Sequence, residues 1–433
     1  MSQRTRWRRI AVVMAALLAT LLLALAGLWA ANTRGERALD EPSPAFEATA
    51  EQVERGAYLA LAGNCAACHT ARGGAPYAGG QAIDTPFGAV YASNLTPDRD
   101  TGLGDWSPAH FWRAMHHGRS RDGRLLYPAF PYPNYTQVTR EDSDAIYAYL
   151  RSLAPVRQAN RPHELRAPYD SQLALAVWRA LFFKPATFEA DQAQSAPWNR
   201  GAYLVRGLGH CNACHASRNA FGATSEDLEL SGGLIPMQNW YAPSLSDATE
   251  ASVAGWDVAE VVQLLKTGVS QRGSVMGPMA EVVYRSTQHL HEDDLAAMAV
   301  FLKALPQSPA AATFDGAPAD ERAMTQGARL YGLHCAQCHG AQGEGAAGIY
   351  PALSGNRAVT MASPANLVRV VLSGGYLPAT QGNPRPFGMP PFAQVFSDAE
   401  MASVITFIRG SWQNQAAPVS PLAVLQYRQG KGD

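Results

Sequence analysis

The longest apolar stretch in the chain comes first. After MSQRTRWRRI, which carries four arginines, Ile10 to Ala31 form an uncharged run of 22 residues dominated by Ala, Leu and Val. At about 1.5 Å per residue, a helix of that length crosses a hydrocarbon core of roughly 30 Å. The basic flank stays cytoplasmic and residues after 35 are exported. A secretory signal has an apolar core of only about 7 to 15 residues, and the small residues after Trp29 make a mediocre cleavage site. The reading is therefore a retained anchor over residues 1–35, with a cleaved signal as the alternative. No later stretch is long and apolar enough to span. The pattern predicts a single-pass protein of the cytoplasmic membrane with its globular part in the periplasm.

Beyond the anchor the apolar positions recur at i, i+3 and i+4, the spacing of amphipathic helices. Three such segments resemble one another: DSDAIYAYLRSL from Asp142, EDDLAAMAVFLKAL from Glu292 and DAEMASVITFIRGSW from Asp398. Three others open with Gly-Ala, namely RGAYLALAGN from Arg55, RGAYLVRGLGH from Arg200 and QGARLYGLH from Gln326. A leading and a closing helix repeated three times in 433 residues mean tandem domains. Pro- and Ala-rich breaks near 185–197 and 306–319 set the boundaries. The expected organisation is all-α: domains over 48–185, 186–312 and 317–415, then a C-terminal tail over 416–433. YASNLTPD at Tyr91 and YAPSLSDA at Tyr241 occupy matching places in the first two copies, whereas the third has IYPALSG at Ile349.

Charge changes the picture only by exclusion. Lys plus Arg is 35 and Asp plus Glu is 36, a formal net charge of −1, so no basic field suggests nucleic acid.

The six cysteines add chemistry. They fall as CAACH at 65–69, CNACH at 211–215 and CAQCH at 335–339, each just after a leading helix, and none is spare. A disulfide scaffold would be short and cysteine-dense, and zinc does not require the histidine that follows each pair. C-x-x-C-H is the attachment signature of c-type haem. Cys65 and Cys68, Cys211 and Cys214, and Cys335 and Cys338 would form thioethers, with His69, His215 and His339 as proximal iron ligands. Three covalently bound haem c groups in three tandem cytochrome c domains follow. In the third copy a carbonyl near Pro351 is expected to accept the Nδ1 proton of His339.

A thioether sulfur commonly fills the opposite axial position, from a loop before the last helix. FGMPPFAQVFSD offers Met389 in the third copy. RGSVMGPMAEVV offers Met276 and Met279 in the second, and counting from Gly268 favours Met279. Met279 lies 11 residues after Gly268 and Phe130 lies 12 after Gly118, so in the first copy the matching place is held by Phe130, which cannot ligate iron. Met115 is the remaining methionine there, opposite Leu265 when Gly118 is aligned with Gly268. His116 or His117 come next, and an open five-coordinate iron third; His110 shares the segment.

On these motifs, with RDGRLLYPA at Arg121, WNRGAYLV at Trp198, GPMAEVV at Gly277 and MPPFA at Met389, the chain resembles the membrane-bound three-haem cytochrome c subunits of bacterial periplasmic dehydrogenase complexes. Those complexes oxidise alcohols, aldehydes, gluconate or sorbitol. The resemblance covers about residues 48–415. It implies transfer of electrons to membrane ubiquinone from a catalytic subunit that holds pyrroloquinoline quinone, flavin or a molybdenum cofactor, with or without a further small subunit. Many members have Met where this chain has Phe130, and the Phe form points to molybdenum-containing aldehyde or heteroaromatic oxidoreductases. The chain shows no flavin-type GxGxxG, nucleophile elbow or acidic metal cluster of its own, so substrate oxidation by this chain alone is not expected. The alternatives are a haem enzyme such as a peroxidase, using an open first haem, and a free-standing shuttle to a terminal oxidase. SQLALAVWRALFFKPATF from Ser171 is more apolar than one helix face needs. It is expected on the membrane surface or the catalytic subunit, with burial between domains as the bland alternative.

Overall fold

Each Gly-Ala pair lies where a leading helix crosses its closing helix. In the computed structural model, which describes residues 3–36, 39, 46–224, 229–308 and 319–430, the helix Ala50–Ala62 crosses Arg140–Ser152, Ala196–Tyr203 crosses Glu292–Lys303, and Glu321–His334 crosses Asp398–Gly410. A methyl group at Gly56 would collide with the carbonyl of Ala145, one at Gly201 with that of Ala297, and one at Gly327 with that of Ser403. Only glycine lets the two backbones approach this closely, which is why the residue recurs in an otherwise variable helix.

Around each crossing the amphipathic faces close a core. Leu59, Phe111, Ile146 and Leu150 belong to the first, Leu204, Val261, Leu295 and Phe301 to the second, and Leu330, Val368, Met401 and Ile405 to the third. Caps fix the helix starts: Thr49 and Ser397 each exchange hydrogen bonds with the residue three positions on, satisfying first-turn N–H groups. The helical class agrees with expectation. Small hairpins, not expected, decorate it: Ala82–Thr85 with Gly88–Tyr91 and Glu164–Leu165, Gly233–Ile235 with Trp240–Ala242, Val269–Ser270 with Gly273–Ser274, and Gly375–Tyr376 with Gly388–Met389. The break near 306–319 falls largely on residues 309–318, outside the described residues. The expected tail contains a helix, Pro421–Arg428, and Val419, Val424 and Tyr427 are buried in the third core.

The first two units are tied by a crossed pair of contacts built from RGAY. Arg55 holds Asp142 of its own unit at 2.9 and 2.5 Å, and Tyr203 of the second unit donates to the same carboxylate at 2.5 Å. Arg200 holds Asp294 at 2.7 Å, and Tyr58 of the first unit donates to it at 2.6 Å. Burial alone would raise the Asp294 carboxyl, but the bonds from Arg200 and Tyr58 outweigh it and hold the group below the usual range. The third unit meets the second differently. The Asn366 amide pairs with the backbone of Tyr241 at 2.9 and 2.7 Å, and Arg357 donates to the carbonyls of Ala248 and Ser252 at 3.1 and 2.8 Å.

The N-terminal helix, Gln3–Thr33, contains the segment Trp7–Thr33, which is long and apolar enough to cross a membrane. Its end is knotted to the first unit. Asn32 donates to the carbonyl of Ala176 at 3.0 Å and accepts from the buried Arg179 at 3.0 Å, while Glu36 pairs with Arg119 at 2.9 Å.

Candidate functional site

A single helical turn sets the geometry of each motif. Cys65–His69 form one turn, Cys211–Ala213 a tighter one and Ala336–His339 another, so the two cysteines and the histidine of each motif lie within about one turn of each other. Asn64 and His210, just before the first two motifs, are left-handed at φ 50° and 38°, turning the chain sharply out of the leading helix. None of the six cysteines is paired in a disulfide. Burial pushes the Cys65 and Cys211 thiols up to about 12 and that of Cys335 to about 11.

The histidines share one outer partner. Nδ1 of His69 meets the carbonyl of Ser93 at 2.7 Å, Nδ1 of His215 that of Pro243 at 2.7 Å, and Nδ1 of His339 that of Pro351 at 3.0 Å. The expected contact near Pro351 is present, and it is common to all three units. Ser93, Pro243 and Pro351 are each the third residue of YAS, YAP and IYP, so IYPALSG occupies the place of the other two segments despite a much shorter loop. With Nδ1 donating, Nε2 keeps its lone pair free on the other side of the ring. Burial lowers the pKa of all three imidazoles more than the carbonyl bonds raise it, which favours the neutral ring that a ligand must be.

On the opposite side the units diverge. Gly118 and Gly268 end matching helices, Pro108–His117 and Val258–Thr267, in the left-handed conformation at φ 58° and 80°. Three residues before each cap, Met115 and Leu265 are buried in the first and second cores. Half-buried Cys65, Ala66 and Phe130 pack against the first of these cores, and Cys211 and Met279 against the second. Of the candidates on the first helix, Met115 belongs to the apolar core against which Cys65 packs. His110 takes part in the cap with Ser107, His116 stacks on Trp112 at 4.4 Å, and His117 is pushed down to about 4 by burial, by His116 and by three arginines around it. Met279 opens the helix Pro278–Arg285, and Met389 lies on the strand paired with Gly375. Met276 points elsewhere: its methyl reaches Gly375 of the third unit, so it packs at the contact between units.

The first two motifs face one another. Cys214 adds to the rise that burial gives the Cys68 thiol, and Tyr135, which donates to the carbonyl of Gly63 at 3.1 Å, lies edge-on to His210 at 5.5 Å. Among the described residues no group of three or more His, Cys, Asp or Glu side chains converges as a zinc site would require.

The cytochrome c family pattern matches residues 53–154 and 324–412. The chain is 38% identical over 386 residues to the cytochrome c subunit of the quinone-type alcohol dehydrogenase of Gluconacetobacter polyoxogenes, covering 86% of this chain and 82% of that one. It is 38% identical over 380 residues to the gluconate 2-dehydrogenase cytochrome c subunit of Pantoea cypripedii, covering 84% and 86%. To a nicotinate dehydrogenase subunit of Pseudomonas putida it is 41% identical over 367 residues, 83% of this chain but 30% of that protein.

Proposed function

Because the chain belongs to the cytochrome c subunits of dehydrogenase complexes, we propose that it carries three covalent haem c groups and passes electrons from a catalytic dehydrogenase subunit to membrane ubiquinone. The observation that carries this reading is the threefold recurrence of one arrangement: two cysteines outside any disulfide, an adjacent imidazole, and a backbone carbonyl within hydrogen-bond distance of its Nδ1. The donor set fits the group. Cys65 and Cys68, Cys211 and Cys214, and Cys335 and Cys338 would hold it, with His69, His215 and His339 as iron ligands. Met279 and Met389 would be further iron ligands in the second and third units, and Met115 in the first. Bound haem supplies one-electron redox chemistry.

The residues of the chain supply orientation, exclusion of water and spacing. The carbonyls of Ser93, Pro243 and Pro351 hold each ring in one tautomer and raise its basicity. An apolar core lies against one cysteine of each motif, and such surroundings disfavour the more highly charged state of the iron. The crossed Arg–Asp–Tyr contacts hold the first and second motifs in one fixed relation. The apolar N-terminal helix fits a membrane anchor, with the three units on the periplasmic side, within reach of a lipid-soluble acceptor.

The similarity to the nicotinate dehydrogenase subunit, with Phe130 in place of a loop methionine, favours a catalytic partner acting on a heteroaromatic compound over one acting on an alcohol. Mild-detergent purification of the intact complex tests both parts. Mass spectrometry should find three haem masses on this chain, and the reduced complex should reduce a ubiquinone analogue. Fewer than three haems after full maturation would overturn the architecture; a fully reduced complex inert toward quinone would overturn the acceptor.

A further inference from the structure

The helix Gln172–Phe182 carries one charge, and that charge faces inward. Arg179 is 3% exposed, with Nε donating to the Asn32 side chain at 3.0 Å and Nη1 to the carbonyl of His117 at 2.7 Å. The outward face is apolar. Leu173, Val177 and Leu181, spaced four apart on one stripe, are 61%, 44% and 67% exposed. Phe221, 58% exposed, extends the patch: it stacks on Phe182 at 6.0 Å and accepts from the Trp178 indole through its carbonyl at 2.9 Å. A helix on a water-facing surface has the opposite polarity, and an uncharged patch of this kind marks a surface that is covered.

The position of the helix identifies what covers it. The apolar run of the anchor ends at Ala31, and the next residue, Asn32, donates to the carbonyl of Ala176 in the middle of this helix. Trp29, 70% exposed, lies one turn below on the anchor, and Lys184 is exposed just past the end of the helix. The helix is thus bonded to the anchor at the residue where hydrocarbon gives way to water. With 11 residues it is about 16 Å long, too short to span a core of roughly 30 Å. We propose that Gln172–Phe182 is a second membrane element, lying in the interfacial layer with Leu173, Val177 and Leu181 in the lipid, and that its partner is the bilayer rather than the catalytic subunit. The anchor holds the first unit at one point; this helix makes the contact an area and so fixes the tilt of the first two units on the membrane. Burial between domains, the bland alternative, does not occur, since the stripe is open.

A photoreactive benzophenone side chain placed at Leu181 of the full-length chain, in membranes that also contain the complex, reads what lies against this face. Leu18 in the anchor and Leu422, 63% exposed on the third unit, serve as references. Leu181 and Leu18 should form lipid adducts and Leu422 none, with haem spectra unchanged as evidence of folding. A polypeptide adduct at Leu181, or silence at Leu181 while Leu18 reacts with lipid, overturns the proposal. If the mature chain lacks the anchor, the Leu18 reference disappears, but lipid adducts at Leu181 still support the proposal and silence there still overturns it.

Discussion

The first two units and the third have the same helix crossing but present different faces on it. In the first two, the leading helix carries Arg and Tyr three residues apart, and the closing helix carries the Asp they share in crossed fashion. In the third, Gln326 and Arg329 replace the Arg and Tyr, and Glu400 stands at the position of the Asp, three residues before the point where the glycine meets the closing helix. Glu400 turns to its own N-cap Ser397 at 2.8 and 3.0 Å, and Gln326 accepts from Ser403 at 3.2 Å. The glycine is a requirement of the fold; the Arg, Asp and Tyr are a requirement of pairing. A face that is buried between units one and two is left in the third beside an open surface lined by Thr325, Gln326 and Arg329.

The largest effect tests what the units share. Gly56→Val, Gly201→Val or Gly327→Val forces a branched side chain into a backbone carbonyl that cannot move without parting the helices, a cost above about 3 kcal/mol per site, at the severe end of overpacking. Each variant should lose attachment of the haem in its own unit, counted by mass, while the other two units keep theirs. Equal losses from all three units in any one variant would show that the units do not fold separately.

The next effect separates the pair from the third unit. Asp142→Asn leaves Arg55 facing a neutral amide and should destabilise the first two units by about 3 kcal/mol, at the low end for a broken buried pair because Arg55 is half exposed. Glu400→Gln, with only its own cap at stake, should cost below about 1 kcal/mol. Denaturant unfolding followed at the haem bands measures both. The linkage to pH has a definite sign at the partner site. The Asp294 carboxyl is held below its unfolded value, so its contribution is present above about pH 4 and is lost only as pH falls further, through the folded value. The contact between units should therefore persist at pH 5.

Smaller again is Tyr203→Phe, which removes one hydroxyl donated to a carboxylate, about 1.5 to 2 kcal/mol. Tyr58→Phe should match it, since the two contacts are mirror images. A much smaller effect from Tyr58→Phe would mean that the partial exposure of Asp294 lets water replace that hydroxyl.

How much of this was legible in the chain depends on whether the signal is local. The CxxCH motifs, the leading and closing helices and the apolar N-terminal helix are each written in a continuous stretch, and the helices lie where the pattern put them. RGAY was visible as a repeat, but its meaning was not, because Tyr58 and Asp294 are 236 residues apart and the crossing of partners exists only once two units meet. The equivalence of Pro351 with Ser93 and Pro243 was hidden by loop length, 12 residues from its histidine against 24 and 28. The hairpins escaped because strands of two to four residues leave no period to read, and Pro421–Arg428 passed for a tail because its buried side chains, Val424 and Tyr427, are only two. Position could not be read for Leu173, Val177 and Leu181 either: an apolar stripe says that something covers it, and only the bond from Asn32 to Ala176 says at what depth.

The smallest change in stability carries the sharpest information about the first unit. Met115 and Leu265 are matched in position, three residues before left-handed glycines and buried at 5% and 8% exposure, while Phe130 and Met279 are matched 12 and 11 residues beyond those glycines. The second unit therefore has an aliphatic residue before the glycine and a methionine after it; the first has exchanged them, with a methionine before and an aromatic residue after. Both arrangements put one thioether on the wall that also meets the attachment cysteine. Met115→Leu copies half of the second unit and conserves volume, so it should cost below about 1.5 kcal/mol. If the thioether of Met115 reaches iron, that variant turns one haem of three high-spin, and adding Phe130→Met returns it to low-spin by restoring the sulfur on the loop. A Met115→Leu chain whose three haems all stay low-spin would make Met115 a packing residue, and the sixth position of the first unit would then belong to another group.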